Sequence, residues 1–142
     1  MILLSFQYLY SQPTKDHFIL NGKIIGIDNR VIYLSYYDEY LQSGKTDISF
    51  IRNGLFSFSG KLKQLTVAFI KLNKREAIGL NATDIFLEPG KMNIDLTLNE
   101  FVNTNMTGSK TQYDYAEINL KWNQIKKFIP SYLIATVMYI KI

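Results

Sequence analysis

The residues able to carry chemistry are few and scattered. The 142-residue chain has one histidine and no cysteine. His17 alone supports neither a Ser-His-Asp relay nor a two-histidine metal site, and it reads as a surface residue. Without a thiol there is no disulfide, thiolate metal site, cysteine nucleophile or lipid-modified cysteine. Asp47 and Glu88 are the carboxylates that stand out structurally, because each sits at a strand end beside a turn. Only the fold could pair them as acid and base. Gly22 and Gly26 lie within a strand rather than ahead of a helix, so they form no phosphate loop. These residues predict no catalytic group, no metal site and no cofactor, and the chain reads as a non-enzyme.

Aromatic side chains are the better lead. Tyr33, Tyr36, Tyr37 and Tyr40 lie close together with Lys45 nearby. Exposed rings stack on sugars, bases or a partner's side chains. Strand alternation takes at least one of Tyr33 and Tyr36 into the core. Tyr37 and Tyr40, read as part of a polar loop over residues 37–45, are the candidates for a ligand or partner contact, with plain packing as the competing account. Net charge is +4 and the pI about 9.2. The densest basic group, Lys61, Lys63, Lys71, Lys74 and Arg75, has Glu76 beside it and forms no continuous tract, so nucleic acid is not the expected partner. Asn81 and Asn105 begin glycosylation sequons by pattern.

Strands must position these residues. Hydrophobic residues make up 47% of the chain and charged ones 20%, which excludes a disordered composition. Ten tyrosines and nine phenylalanines favour strands over helices. One domain is expected, large enough to bury about two-thirds of its unfolded surface. Residues 46–60 read as a hairpin turned by Asn53-Gly54, whose positive φ suits a tight turn. A three-residue loop, Arg52-Asn53-Gly54, would set Phe50 opposite Phe56 and Ile48 opposite Phe58. A two-residue loop would mix polar and apolar residues on each face, so the longer loop is preferred.

Around it, residues 18–26 form a strand interrupted at Asn21-Gly22 by a bulge. Residues 31–36 form a second strand, with Ile32, Leu34 and Tyr36 on one face. Residues 65–72 are an apolar strand, 77–80 a weak segment and 85–87 a short strand. Glu88-Pro89-Gly90 then carries the Pro-Gly pair of a type II turn. Residues 92–98 alternate, with Met92, Ile94, Leu96 and Leu98 inward, and 101–107 make a last strand. From Gly108 the period changes. Thr111 and Asp114 suggest a capping box, and Tyr115, Ile118, Trp122, Ile125 and Ile129 form one helical stripe expected to pack on the core.

The expected fold is mainly β: an antiparallel β-sandwich or small barrel of about seven to nine short strands, followed by one C-terminal α-helix. Residues 18–107 make the sandwich, and 108–130 the helix and the start of a linker. Residues 1–12 resemble part of a signal peptide without its basic start. Residues 131–142 are an apolar tail, either a final buried strand or an aberrant end, and no run is long enough for a transmembrane span.

Five stretches occur in a familiar order: Asn21 to Gly26, Val31 to Leu34, Asn53 to Gly60, Ile85 to Lys91 and Met106 to Tyr115. Together they resemble the β-rich "domain of unknown function" that precedes the thioredoxin-like domain in TlpA/ResA-type thiol-disulfide oxidoreductases of the Bacteroidetes. The Phe-Leu-Glu-Pro-Gly run from Phe86 and the Gly-Ser-x-Thr-Gln run from Gly108 are its more specific parts. The resemblance implies an extracytoplasmic, periplasmic or cell-envelope location. It implies a non-catalytic accessory or docking module whose thioredoxin-like domain is absent from this sequence. Its expected partners are such a domain or another extracytoplasmic protein. The alternative is a stand-alone secreted module that binds glycans or peptides through the aromatic loop.

Overall fold

A computed structural model describes residues 15–76 and 79–130. Residues 1–12 and 131–142 lie outside the described residues, as does part of the weak segment 77–80. Among the described residues, eight strands are shared between two sheets: β1 (His17–Ile25), β2 (Val31–Asp38), β3 (Ser43–Phe50), β4 (Leu55–Lys61), β5 (Thr66–Lys71), β6 (Ala82–Leu87), β7 (Gly90–Thr97) and β8 (Asn105–Thr107). A 17-residue helix, α1 (Lys110–Lys126), follows. Sheet A has the order β4-β1-β7-β8 and sheet B the order β3-β2-β5-β6. Among the described residues both sheets have unpaired edge strands, so the fold is a sandwich and not a closed barrel. Every pairing is antiparallel except β1 with β7.

The core forms where the two inner faces meet. Period-2 alternation sends Phe18, Leu20 and Ile24, Phe56 and Phe58, and Met92, Ile94 and Leu96 inward from sheet A. Ile32, Leu34 and Tyr36, Ala68 and Ile70, and Ile85 and Leu87 meet them from sheet B. Phe18 and Tyr36 pack edge to face across the gap, with ring centroids 5.6 Å apart.

Two strand readings are corrected. β1 runs through Asn21-Gly22 in unbroken register with both neighbours, so there is no bulge. Gly22 is required for packing: a Cβ there would overlap the Phe56 ring. Residues 46–60 are not a hairpin, because β3 belongs to sheet B and β4 to sheet A. Asn53 (φ 53°) and Gly54 (φ 70°) do make a tight turn, with two residues closed by a single Arg52–Leu55 bridge. The chain then crosses between sheets. Gly54 also passes close to β1, where Ile24 N donates to its carbonyl at 2.7 Å. Separation of the strands buries Phe56 and Phe58 but leaves Ile48 and Phe50 exposed.

The remaining differences are local. Glu88-Pro89 is a crossover from β6 to β7, with Gly90 at φ 124°. Residues 101–103 form a 3₁₀ turn ahead of β8. The helix cap is Ser109, whose Oγ accepts from Gln112 N at 3.1 Å, in place of the expected box at Thr111. α1 buries none of its residues, so its apolar stripe does not pack on the core.

Candidate functional site

Tyr36, Lys45 and Asp47 form a cluster of ionisable groups on the inner side of sheet B. Cross-strand pairing of Tyr36 with Lys45 and of Leu34 with Asp47 turns these β3 side chains toward the inner face. Tyr36 Oη donates to Asp47 Oδ2 at 2.9 Å, and Lys45 Nζ lies 3.2 Å from Asp47 Oδ1. Burial first, then the bond to Asp47, pushes the Tyr36 phenol up to about 12. Burial alone would lower the Lys45 ammonium, but its bonds to Tyr36 and Asp47 outweigh that and hold it above its ordinary value. A phenol this reluctant to ionise is a poor base and a poor nucleophile. The three groups satisfy one another, and inward charges on an edge strand discourage edge-to-edge pairing.

Glu88 has a different task. Its carboxylate accepts from Lys110 N at 3.2 Å and Thr111 N at 2.9 Å, which fills the open amides at the start of α1. Burial raises this carboxyl, but hydrogen bonds from Thr111, Lys110 and Ser109 overcome that and lower it below the usual value. Asp47 on β3 and Glu88 after β6 stand at opposite edges of sheet B, so the fold does not pair them.

The two candidate tyrosines have separate surroundings. Tyr37 belongs to β2 rather than to a loop, and stands on the outer face of sheet B. Tyr40 lies in the β2–β3 turn, fixed by Asp38 Oδ1, which accepts from Tyr40 N and Leu41 N. Its ring is taken by Lys63 Nζ at 4.5 Å and Lys61 Nζ at 5.6 Å from the centroid. The shared aromatic loop is therefore divided.

The outer face of sheet B holds what the sequence reading missed. An open groove of about 510 Å³ runs between Tyr37, Val67 and Phe69, above the small residues Ser35, Gly44 and Thr46. Tyr37, Ile48, Phe50, Val67 and Phe69 are all exposed there. The available signal was β5, where Val67 and Phe69 alternate with Ala68 and Ile70. A strand apolar on both faces is normally covered on both. Among the described residues no group of acids or histidines could hold a metal ion, and no helix is long and apolar enough to cross a membrane.

A family model described as Domain of unknown function (DUF4369) matches residues 18–115, and the chain belongs to that family. No curated protein and no solved structure matches the chain.

Proposed function

We propose, from membership of this uncharacterised family, that the chain is a non-catalytic β-sandwich module acting outside the cytoplasm as an accessory or docking domain. The observation that carries the reading is how the reactive groups are used. Asp47 is bound to Tyr36 and Lys45, and Glu88 to the start of α1. The likeness of its motifs to the N-terminal domains of Bacteroidetes TlpA/ResA-type oxidoreductases supports the extracytoplasmic, accessory part. In those proteins the redox chemistry belongs to a Cys-x-x-Cys domain. An insulin-reduction assay with dithiothreitol tests the reading. The isolated chain should give a rate equal to buffer, and turnover above buffer would overturn it.

The groove beside Tyr37 favours a second reading, peptide or glycan binding on that face, with Tyr37 as its ring and Tyr40 outside it. Tyr37→Ala should abolish any signal on a glycan and peptide panel, while Tyr40→Ala leaves it. Equal loss from both variants would contradict the groove as the contact.

A further inference from the structure

Among the described residues, two exposed apolar surfaces lie close together. One is the outer face of β2, β3 and β5, where the exposures of Tyr37, Ile48, Phe50, Val67 and Phe69 run from 40% to 61%. The other is the stripe of α1, where Tyr115 is 42%, Ile118 59% and Ile125 51% exposed and Trp122 between them is half-buried. We propose that they cover each other between two copies: α1 of one protomer lies across the outer face of sheet B of its partner, and the reverse contact closes a two-fold dimer.

The two surfaces differ in shape in a way that suits this pairing. Gly44, Ser35 and Thr46 place small side chains in adjacent cross-strand rows, and the larger Tyr37 and Phe69 stand over them. The result is a trough, and the α1 stripe is a ridge. The two adjoin within each chain. Tyr115 packs edge-on against Phe86 at 5.3 Å, and Phe86 shares a cross-strand row with Val67. Reciprocal docking therefore makes one continuous interface.

A helix cannot fill the trough of its own sheet. Glu88 holds Lys110 N and Thr111 N, Gln112 Oε1 accepts from Phe86 N at 2.9 Å, and Tyr115 rests on Phe86. These contacts fix the direction of α1 while Ile118 and Ile125 stay exposed. The area is sufficient. With about 200 Å² for each large side chain, the sheet face offers roughly 500 Å² and the helix, with Phe128 at its end, a similar amount. Two such protomers bury up to roughly 2,000 Å², as much as a stable interface needs. The inference stands apart from the non-catalytic reading, which the insulin assay tests separately.

Sedimentation velocity on the full chain tests it, with Phe69→Glu on the sheet, Ile118→Glu on the helix, and an equal mixture of the two. The wild type should be a dimer, and each variant should associate about 100-fold more weakly, since each would bury an unpaired carboxylate. The mixture should regain association, because a mixed pair keeps one intact helix-on-sheet contact. A wild type monomeric at roughly 0.1 mM would overturn the proposal, as that is well above the micromolar Kd of the weaker interfaces of this size. Loss from Phe69→Glu alone would mean sheet-on-sheet contact, and loss from Ile118→Glu alone helix-on-helix contact. Either would also overturn it. Far-UV circular dichroism checks folding, and Phe69→Ser with Ile118→Ser replace any variant that unfolds.

Discussion

The two sheets are alike on the inner faces of their central strands and unlike on their outer faces. Outside, sheet A is mostly polar, with Asn21, Lys23, Ser57, Asn93 and Asp95 and, spread among them, the exposed Ile19, Ile25 and Leu55; Ser57 Oγ donates to Asn21 Oδ1 at 3.0 Å. Sheet B presents Tyr37, Ile48, Phe50, Val67 and Phe69. The first is the solvated face expected of a sandwich, and the second is an apolar patch of the kind that marks an interaction site. Burial of the core explains the inner faces of both. It says nothing about why sheet B carries more and larger apolar residues outside than sheet A.

The largest effects should come from the inner faces of the central strands, where the sheets are alike. Leu20→Ala in β1 and Leu34→Ala in β2 each empty a fully buried position. Both should cost about 2–5 kcal/mol in urea denaturation. A cost below about 1 kcal/mol for either would mean that its sheet is not packed as described.

A smaller effect is expected at the join between sheet B and α1. Glu88→Gln should cost about 1 kcal/mol, read from thermal melts at 222 nm. Because the folded carboxyl is lowered below its ordinary value of 4.5, its contribution is complete above that pH. It is lost as pH falls through the lowered value. The variant should lack this acid-side slope, and an unchanged slope would remove Glu88 from the account.

Tyr36 sharpens the comparison at alkaline pH. Its folded phenol titrates near 12 against 10.0 unfolded, so the folded state holds the proton longer. Stability from this group is complete below pH 10 and falls between 10 and 12. Tyr36→Phe should flatten that part of the stability profile relative to wild type. The smallest effect should come from the outer face of sheet A, where Ser57→Ala should stay within about 0.5 kcal/mol in the urea assay.

Much of the sandwich was legible because local alternation suffices where one face is buried and the other wet. Residues 31–36 and 92–98 were read this way, and Ile32, Leu34, Tyr36, Met92, Ile94 and Leu96 do face the core, while Leu98 falls in the turn after β7 and is half-buried. The stretch 46–60 defeated the same logic. β3 faces inward with Lys45, Asp47 and Ser49, a choice that makes sense only beside the Tyr36 hydroxyl and at a sheet edge. Local alternation carries no information about either. Pairing the apolar residues across Asn53-Gly54 therefore looked better than it was. Gly22 misled for a related reason, since the Phe56 ring that fills its place comes from a distant strand. The helix was legible as a stripe, but its period does not say whether the chain itself or something else covers it. The groove escaped notice because β5 was read as simply apolar, without asking what covers its second face.

The most direct measurement compares the outer faces with one glutamate on each. Asn93→Glu and Phe69→Glu would be run beside wild type in sedimentation velocity at one concentration. The account predicts that Asn93→Glu sediments as wild type does, while Phe69→Glu shifts to the slower species. Equal behaviour of the two variants would contradict the claim that the outer face of sheet B is part of the interacting surface.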